Sequence, residues 1–357
     1  MTSYIPMPPC AAPGAPSPVK ATGRTLNWGI VSTGRIADTV VRDLALLEDA
    51  RITAVSSRDH ARGAEFAARH GIDRNYADDA GAPAYEAMFA DPDVEVVYIA
   101  TPHGQHFEVA KAALEAGKHV LCEKSLTINA AEAEELVRLA GERSLFLMEA
   151  IWSRFLPSVH RALSIIRSGE LGEVAWVHAD LGFPADYDPT WRLWDPAAGG
   201  GALLDLGVYP FTWALGTLGF PQSAQAAGFL NDDGVDPQEA ITLTYAGGRQ
   251  AQLMCSLLGA GPREATVSCT AGWLRTGQPL HNPTTLQIHP VGGESRTEHF
   301  ESIGRDYPYE LRETTRCIQE GLTQSPTVSW EHTVQTMRLF DGLRNQLGLR
   351  YANDQRR

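Results

Sequence analysis

The residues best suited to proton transfer lie in the segment Gly199–Tyr209, where an aspartate and a tyrosine stand four residues apart. If this apolar segment is a helix, Asp205 and Tyr209 lie one turn apart on the same face. A phenol beside a carboxylate can exchange a proton when a nearby cation makes the phenol more acidic. Lys124, at the end of an apolar predicted strand, is the candidate for that cation. The alternative is a buried helix in which Tyr209 only hydrogen-bonds Asp205.

The first half of the chain alternates apolar strands with helical segments, and this alternation supplies a scaffold for such a site. Strands are predicted at residues 26–31, 52–56, 94–100, 119–122 and 145–148, with helices near 36–47, 65–70, 109–116 and 130–142. Strands and helices that alternate in this way are typical of a doubly wound parallel sheet. We therefore expect a Rossmann-type dinucleotide-binding domain over residues 26–150.

The pattern changes near residue 150, where short strands separated by Gly- and Asp-rich turns replace the alternation. Such strands are predicted at residues 174–180, 224–230, 240–245, 250–256, 265–269 and 285–289, with helices at about 308–321 and 330–347. Residues 151–357 are therefore expected to form an α+β substrate-binding and oligomerisation domain on a large, mostly antiparallel open sheet. The fold class is α/β plus α+β.

Composition excludes several classes of protein. The 357 residues carry a formal net charge of −13 without a block of Lys or Arg, which argues against nucleic acid or an anionic membrane as partner. No apolar run has transmembrane length. Five scattered cysteines predict neither a disulfide framework nor structural zinc, and favour a reducing, cytoplasmic location. Residues 1–25, rich in Pro and Ala, are expected to be a disordered extension rather than a secretory signal.

The turn after the first predicted strand has the position of a phosphate-binding loop. It reads Ser32-x-Gly34-x-x-Ala37, so serine replaces the first glycine of the dinucleotide fingerprint. Backbone N–H groups at the start of the following helix would bind a pyrophosphate. We therefore predict that Ser32, Thr33, Gly34, Arg35 and Ile36 bind the cofactor. The alternative is a tight turn that only packs the helix against the sheet.

The second predicted strand ends in a pair of arginines. Arg58 follows the strand and Arg62 lies one turn later, so the two guanidinium groups can bind the 2′-phosphate of NADP together. Asp59 between them favours NAD instead, because a carboxylate at this position binds the ribose hydroxyls. A solvated, charged start of a helix is the third interpretation. We predict NADP, with NAD as the alternative.

Three motifs resemble the Gfo/Idh/MocA family of oxidoreductases: Cys122-Glu123-Lys124, Thr101-Pro102-His103-x-x-His106 and Gly199 to Tyr209. The run from Phe146 to Pro157, the Arg58/Arg62 pair and the segment from Tyr309 to Pro326 are most similar to the members that oxidise dihydrodiols or D-xylose with NADP. The resemblance covers about residues 26 to 345. It implies a hydride transfer between a nicotinamide cofactor and a CH–OH group.

The resemblance assigns Lys124, Asp205 and Tyr209 to catalysis, and it places Thr101, Pro102, His103, His106, Glu123 and Lys124 beside the cofactor. Tyr209 would be the general base in oxidation, with its pKa lowered by Lys124. Ser125 stands where the family usually has proline. Pro210 should kink the helix, because it removes the hydrogen bond to the carbonyl of Leu206. Ser125 is expected to loosen the turn that aims Lys124. Pro210 either aims the phenol of Tyr209 or only marks where the helix breaks.

Four side chains are candidates for substrate binding: Trp152, Arg154, Arg192 and Tyr307. Trp152 and Arg154 follow the last Rossmann-type strand, at the sheet edge where ligands bind. An indole face suits a sugar or ring face, and a guanidinium suits hydroxyl groups. Core packing between the domains is the other interpretation of Trp152.

The remaining alternatives concern metal, substrate and assembly. His103 and His106 have H-x-x-H spacing, but a third ligand of suitable spacing is missing, so no metal site is predicted. Rival functions are an NADPH-dependent reductase of keto-sugars such as 1,5-anhydrofructose, a glucose–fructose oxidoreductase, and a non-catalytic NADP-sensing regulator. By resemblance, we expect a homodimer or higher homo-oligomer that forms through the C-terminal sheet.

Overall fold

A six-stranded, wholly parallel sheet forms the N-terminal half of the computed structural model, which describes residues 5–79 and 81–355. Its strands are β1 (Leu26–Val31), β2 (Ala50–Ser57), β3 (Arg74–Ala77), β4 (Val96–Ile99), β5 (His119–Glu123) and β6 (Leu147–Ala150). The helices between them are α1 (Arg35–Leu44), α2 (His60–His70), α3 (Ala84–Phe89), α4 (His103–Glu115) and α5 (Ala130–Arg143). The strand order β3-β2-β1-β4-β5-β6 confirms the doubly wound prediction. It reverses between β1 and β4, where the carboxyl ends of the strands form a ligand crevice.

An eight-stranded sheet forms the C-terminal half in the order β14-β13-β12-β11-β7-β10-β9-β8. Its strands are β7 (Val174–Gly182), β8 (Ser223–Phe229), β9 (Gln238–Thr244), β10 (Gln250–Ser256), β11 (Ala265–Cys269), β12 (Gly272–Thr276), β13 (Thr285–Pro290) and β14 (Arg296–His299). The helices are α6 (Pro157–Arg167), α7 (Ala202–Leu206), α8 (Val208–Leu218), α9 (Pro308–Gln319) and α10 (Trp330–Leu347). Every neighbouring pair is antiparallel except β7 and β10, so the mostly antiparallel sheet is also confirmed.

Four short elements were not predicted from sequence: β3, α3, β12 and β14. The segment of β3 is half-buried at every position and therefore shows no apolar alternation. The helix α3 has only six residues, too few for a helical period to be visible. The strand β14 lies at a sheet edge, where side chains remain partly solvated. These three elements are recognisable only through their neighbours, whereas β12 alternates buried and half-buried residues and was missed by the sequence analysis.

Residues 5–25 pack on the rest of the molecule, which corrects the prediction of a disordered extension; residues 1–4 lie outside the described residues. Ile5 is buried, and its carbonyl accepts a hydrogen bond from Arg167. The carbonyl of Pro18 accepts from Nε of Arg312 in α9 at 2.8 Å. Arginine side chains thus hydrogen-bond the backbone carbonyls of this proline-rich segment. Its composition does not reveal these contacts, because the arginines lie far away in the sequence.

The predicted helix around Pro210 is divided into α7 and α8 at Gly207. Pro210 has no N–H for the carbonyl of Leu206, so the regular hydrogen-bond ladder is interrupted where the sequence predicted it. Asp205 lies in the last turn of α7, and Tyr209 lies in the first turn of α8. The two candidate catalytic residues therefore stand on either side of a helix break.

Candidate active site

A buried carboxylate joins two cations at the centre of the site. Oδ1 of Asp205 lies 3.3 Å from Nζ of Lys124 and 2.9 Å from Nη1 of Arg192. Lys124 also donates to the backbone carbonyl of Asp205 at 2.7 Å. Lys124 directly follows β5, so the sheet carries it to the edge at which α7 begins. The structure thus brings together two predicted catalytic residues and one predicted substrate residue.

The glycines before α7 allow this arrangement through close backbone contact. A Cβ on Gly200 would approach the carbonyl oxygens of Arg192 and Leu193 within 2.8 Å. Gly201 has φ 120°, and a Cβ there would collide with the carboxylate of Asp236. The glycine run therefore lets the loop carrying Arg192 lie directly against the start of the helix that carries Asp205.

Mutual electrostatic stabilisation fixes the charges of this cluster. Burial alone would raise the pKa of the Asp205 carboxyl, but the charges of Lys124 and Arg192 outweigh it and hold that pKa far below its usual range. Burial would lower the pKa of Lys124, but the Asp205 carboxylate outweighs it and raises that pKa. At neutral pH the cluster therefore holds one carboxylate between two cations.

Tyr209 lies beside this cluster and within a group of aromatic rings. Nζ of Lys124 is 5.4 Å from the centroid of the Tyr209 ring. Nε1 of Trp152 donates a hydrogen bond to the Tyr209 hydroxyl at 3.1 Å. The Trp152 ring stacks on Tyr307, with centroids 4.7 Å apart and planes inclined by 24°. We call Trp152, Tyr209, His281 and Tyr307 the aromatic cage.

The pKa of Tyr209 differs from the sequence-based expectation. Burial raises the pKa of the phenol above its usual value, while Lys124 and the hydrogen bond from Trp152 act to lower it. Lys124 directs its ammonium at Asp205 rather than at the phenol oxygen, which limits its effect on Tyr209. The pKa of Tyr209 thus lies above that of a free phenol, and its hydroxyl is neutral at neutral pH.

His281 was missed by the sequence analysis. It lies between β12 and β13, and its ring centroid is 4.9 Å from that of Tyr209 and 5.8 Å from that of Trp152. Burial, with added repulsion from Lys124 and Arg263, lowers its pKa to about 4. A single histidine in a loop carries no motif, and a contact between positions 72 residues apart is set by the fold.

Arg154 does not reach the cluster, which corrects its assignment to substrate binding. Its side chain is fully buried and contacts His332 of α10 through Nη2. Burial lowers the pKa of the Arg154 guanidinium to about 10. Trp152 and Arg154 lie in one short 3-10 helix, Trp152–Phe155, where positions two residues apart face different sides. The turn that aims Trp152 at Tyr209 therefore aims Arg154 into the protein interior.

Tyr307 reaches the cage because a carboxylate of the N-terminal domain holds its loop. Oδ2 of Asp43, near the end of α1, accepts hydrogen bonds from the backbone N–H groups of Arg305 at 2.8 Å and Tyr307 at 3.2 Å. A Cβ on Gly304, which has φ 61°, would also collide with this carboxylate. The helix that follows the predicted phosphate loop is thus tied to the aromatic cage.

His103 and His106 lie in the first turn of α4 and contact backbone carbonyls on both sides. His103 meets the carbonyls of Gly199 at 2.9 Å and Lys124 at 3.0 Å. His106 meets those of Ser125 at 2.9 Å and Thr101 at 2.8 Å. Burial lowers the pKa of His103 to about 3 and that of His106 to about 4. Both rings hold the Lys124 loop in place; within residues 5–79 and 81–355, no group of three potential ligands is arranged around a metal position.

The predicted phosphate loop runs from β1 into α1 at the crevice of the parallel sheet. Gly34 is the N-cap of α1 without a side-chain cap, so the first amides of the helix remain available to an anion. Ser32, at the first glycine position of the fingerprint, has φ 99°, a conformation that favours glycine. Its Oγ accepts a hydrogen bond from the N–H of Gly34 at 3.1 Å. Thr33, Arg35 and Ile36 complete this loop and the start of the helix.

Arg58 and Arg62 lie at the carboxyl end of β2, both exposed. In the part of the chain that the structure describes, neither guanidinium makes an ion pair or a hydrogen bond. Asp59 caps α2 by accepting from the N–H of Arg62 at 2.8 Å, and that bond lowers its pKa. The carboxylate that favoured NAD thus has a structural partner, while both cations are available for a phosphate.

The other residues predicted at the cofactor lie at the same edge of the sheet. Thr101 follows β4, and its Oγ1 is buried with no hydrogen-bond partner among the described residues. Pro102 is the N-cap of α4. Glu123 ends β5 and accepts from the Tyr98 hydroxyl at 2.6 Å; burial raises the pKa of its carboxyl, opposed by Lys124. These residues border the crevice between β1 and β4.

Comparison with family models matches both halves of the chain. Residues 26–151 match the model described as "Oxidoreductase family, NAD-binding Rossmann fold", named GFO_IDH_MocA. Residues 159–275 match the "GFO/IDH/MocA C-terminal domain". The two matches follow the two sheets of the structure.

Curated relatives are similar along almost their whole length. The trans-1,2-dihydrobenzene-1,2-diol dehydrogenase of Mus musculus is 35% identical over 343 residues, which cover 93% of this chain and 99% of that protein. The Homo sapiens protein of the same name is 33% identical over 341 residues, with 93% and 99% covered. Identity of this extent establishes family membership.

Solved structures share the architecture. The 3-ketoreductase KijD10 from Actinomadura kijaniata, in complex with NADP and TDP-benzene, superimposes with a TM-score of 0.81 at 25% identity, covering 90% of this chain and 98% of that one. The aldose-aldose oxidoreductase from Caulobacter crescentus, complexed with glycerol, gives a TM-score of 0.81 at 24% identity, with 91% and 98% covered. The second likeness concerns the fold alone.

Proposed function

We propose that this chain, which belongs to the Gfo/Idh/MocA family of NAD(P)-dependent oxidoreductases, transfers a hydride between NADP(H) and a CH–OH carbon of a sugar or dihydrodiol. The observation that carries the proposal is the convergence of Lys124, Asp205 and Tyr209 beside an aromatic cage at the carboxyl edge of the parallel sheet. The names of the curated relatives and of the KijD10 structure support the substrate class and the cofactor.

Tyr209 exchanges the proton in this proposal. Its hydroxyl accepts from Trp152 and, among the described residues, donates to no acceptor, so its proton is available to a substrate oxygen. In reduction the phenol gives this proton to the carbonyl oxygen as the carbonyl carbon gains a hydride. In oxidation the phenolate takes the hydroxyl proton as the carbinol carbon loses a hydride. The nicotinamide ring supplies the hydride chemistry.

Lys124 and Asp205 support that exchange electrostatically. The ammonium of Lys124 stabilises negative charge on the phenol oxygen as the proton leaves. Asp205 holds Lys124 by two contacts and holds Arg192 by one, which leaves Arg192, 41% exposed at its side chain, at the open side of the cluster. Arg192 is therefore proposed to bind a substrate hydroxyl.

The residues of the N-terminal domain fit NADP. The open amides at the start of α1 suit the pyrophosphate, and Arg58 and Arg62 suit the 2′-phosphate at the end of β2. Ser32, Thr33, Gly34, Arg35 and Ile36 would line the phosphates, with Thr101 and Pro102 near the nicotinamide side of the crevice. NAD is the alternative, because Asp59 also follows β2, at the position where a carboxylate binds the ribose hydroxyls.

The aromatic cage supports a substrate with an apolar ring face. Trp152 and Tyr307 are buried and stacked, and His281 closes the side next to Tyr209. Faces of this kind cover the C–H surface of a sugar or of a dihydrodiol ring. Core packing between the two halves of the chain remains the alternative role of Trp152, since its indole is buried and contacts Tyr209.

A keto-sugar reductase is the second candidate, favoured by one observation. Burial raises the pKa of Tyr209, so the phenol is protonated at neutral pH and ready for the reductive direction. The two candidate functions use the same residues and differ in whether the physiological reaction is oxidation or reduction of the substrate. Rates measured in both directions at neutral pH distinguish them.

The test is a panel of sugars, inositols and diols, each assayed with NADP and with NAD by the absorbance of the reduced nicotinamide. We expect NADP reduction with at least one aldose or dihydrodiol, and weaker activity with NAD. NADPH binding without turnover of any of these compounds, or of keto-sugars in reverse, would contradict the proposal and favour a cofactor-sensing regulator.

We further propose a homo-oligomer that forms through the open face of the C-terminal sheet. Trp176 of β7 is 47% exposed on this face, and Trp273 and His289 stack in the same row with centroids 3.8 Å apart. Trp273 and His289 are half-buried. Aromatic side chains that remain accessible on a sheet face are typical of a contact surface. A sedimentation measurement that finds the unaltered protein to be a monomer would contradict the proposed oligomer. An oligomer that persists unchanged in Trp176→Lys would contradict its formation through this face.

A cytoplasmic location is proposed from the cysteines. Cys10, Cys122, Cys255, Cys269 and Cys317 are free thiols, and all but Cys10 are buried. Free thiols in this number suit a reducing compartment. Among the described residues, the helices are too short or too polar to span a bilayer.

A further inference from the structure

One ring of the aromatic cage has polar atoms without partners. Nδ1 of His281 is buried and, among the described residues, meets no hydrogen-bond partner. Its Nε2 makes no hydrogen bond to those residues either, but it is not enclosed. The polar atom of Trp152, by contrast, is already used on Tyr209. Because the protein encloses Nδ1, Nε2 is the nitrogen of this ring that a bound ligand can reach.

The position of His281 defines where that ligand group lies. The imidazole stands 4.9 Å from the Tyr209 ring and edge-on to Trp152 at 5.8 Å. A substrate oxygen that accepts the proton of Tyr209 therefore has the imidazole beside it. A substituent on the adjacent carbon of such a substrate is the group that we expect to reach His281.

The charge state of His281 defines the chemistry of that group. Burial lowers its pKa to about 4, so the ring is neutral at physiological pH. A neutral imidazole offers one donor and one acceptor. A hydroxyl group can accept from or donate to a single ring nitrogen in either tautomer, so it suits a neutral imidazole better than an anion or a cation does.

We infer that His281 is a specificity-determining residue that binds the second hydroxyl of a vicinal diol, next to the hydroxyl that exchanges its proton with Tyr209. This inference rests on the proposed function and narrows its substrate class. Simple alcohols would leave the imidazole without a partner. Polyols and dihydrodiols would satisfy it and are preferred.

The experiment compares matched pairs of compounds: trans-cyclohexane-1,2-diol with cyclohexanol, and D-xylose with 2-deoxy-D-xylose. Dissociation constants are measured by calorimetry on the full chain saturated with NADPH, which forms a dead-end complex and needs no turnover. Values of kcat/KM with NADP are measured separately. The protein is expected to bind at least one diol about tenfold more tightly than its partner compound, the effect of one hydrogen bond.

Two variants separate hydrogen bonding from packing. His281→Phe keeps a ring against Tyr209 and removes both nitrogens, so the ratio of the two dissociation constants should fall from about ten to about one. His281→Asn keeps a donor and an acceptor and should retain part of the preference. Tm and the NADPH dissociation constant of each variant verify that it is folded.

The outcomes distinguish this inference from the proposed function. Equal binding of both compounds by the unaltered protein, failure to bind either, or an equal loss for both in His281→Phe would overturn the role of His281. A diol preference in binding that disappears in His281→Phe, without any turnover, would support His281 and contradict the proposed hydride transfer instead.

Discussion

The indole N–H of Trp152 donates a hydrogen bond to the hydroxyl oxygen of Tyr209 across 3.1 Å. This bond occupies a lone pair of the phenol and leaves its proton directed elsewhere. It also stabilises negative charge on that oxygen, so it opposes the rise in pKa that burial causes. A residue predicted only to contact the substrate thus also adjusts the candidate acid/base.

Replacing Trp152 with phenylalanine should remove this donor and keep a ring beside Tyr307. We expect the oxidative kcat to fall about tenfold, because the phenolate loses one hydrogen bond. The rise of the oxidative rate with pH should move to higher pH, because loss of the donor raises the pKa of Tyr209 further. An oxidative profile identical to that of the unaltered protein would show that the indole does not act on Tyr209; Trp330→Phe, outside the cage, is the control.

The pH dependence should have opposite signs in the two directions. Reduction needs the neutral phenol. The reductive kcat/KM is therefore maximal at pH values below the pKa of Tyr209 and falls as the pH rises through that pKa. Because burial raises that pKa, the loss should lie above pH of about 10, the value of a free phenol. Oxidation needs the phenolate and should accelerate over the same range. A reductive rate that instead falls between neutral pH and about 9 would contradict the raised pKa.

Arg58→Ala and Arg62→Ala should weaken NADP binding and spare NAD binding. Loss of one charge-assisted contact to a 2′-phosphate should raise the KM for NADP about tenfold or more, since such bonds contribute about 1.5–3 kcal/mol. The matched control is Arg51→Ala on the same strand, where the arginine pairs with Asp73. Equal increases for NADP and NAD would place the arginines outside a 2′-phosphate site.

Asp43→Ala should disturb the aromatic cage from a distance. Two backbone N–H groups lose their acceptor, which should cost about 1–3 kcal/mol of stability and free the loop that holds Tyr307 against Trp152. We expect a lower Tm and a higher substrate KM. Asp43→Asn keeps one oxygen and should retain most of both properties. A substrate KM unchanged in Asp43→Ala would mean that Tyr307 needs no such support.

Much of this architecture can be predicted from the sequence, because apolar residues form runs or recur at regular intervals in buried strands and helices. Every strand of the parallel sheet except β3 contains an apolar run, and β10 and β11 were predicted with the bounds that the structure has. Helix ends followed their capping residues, as at Gly71 after α2. The break at Pro210 followed from the chemistry of proline.

What the sequence did not reveal depends on long-range contacts. His281 lies 72 residues beyond Tyr209, and Asp43 lies 264 residues before Tyr307. No local pattern links such positions. The sequence analysis directed Arg154 at the substrate and expected a lowered pKa for Tyr209, whereas the structure buries Arg154 and raises that pKa. Both properties depend on which groups surround a buried side chain. The roles proposed for the site residues remain predictions.

The most direct test of the central claim is the turnover of Tyr209→Phe with the best substrate of the panel. Loss of the acid/base group should lower kcat in both directions by about 100- to 10,000-fold. NADPH binding, followed by quenching of protein fluorescence, should be unchanged, and the matched variant Tyr307→Phe should retain a kcat near that of the unaltered protein. A Tyr209→Phe protein that turns over within a few-fold of the unaltered one would contradict the assignment of Tyr209.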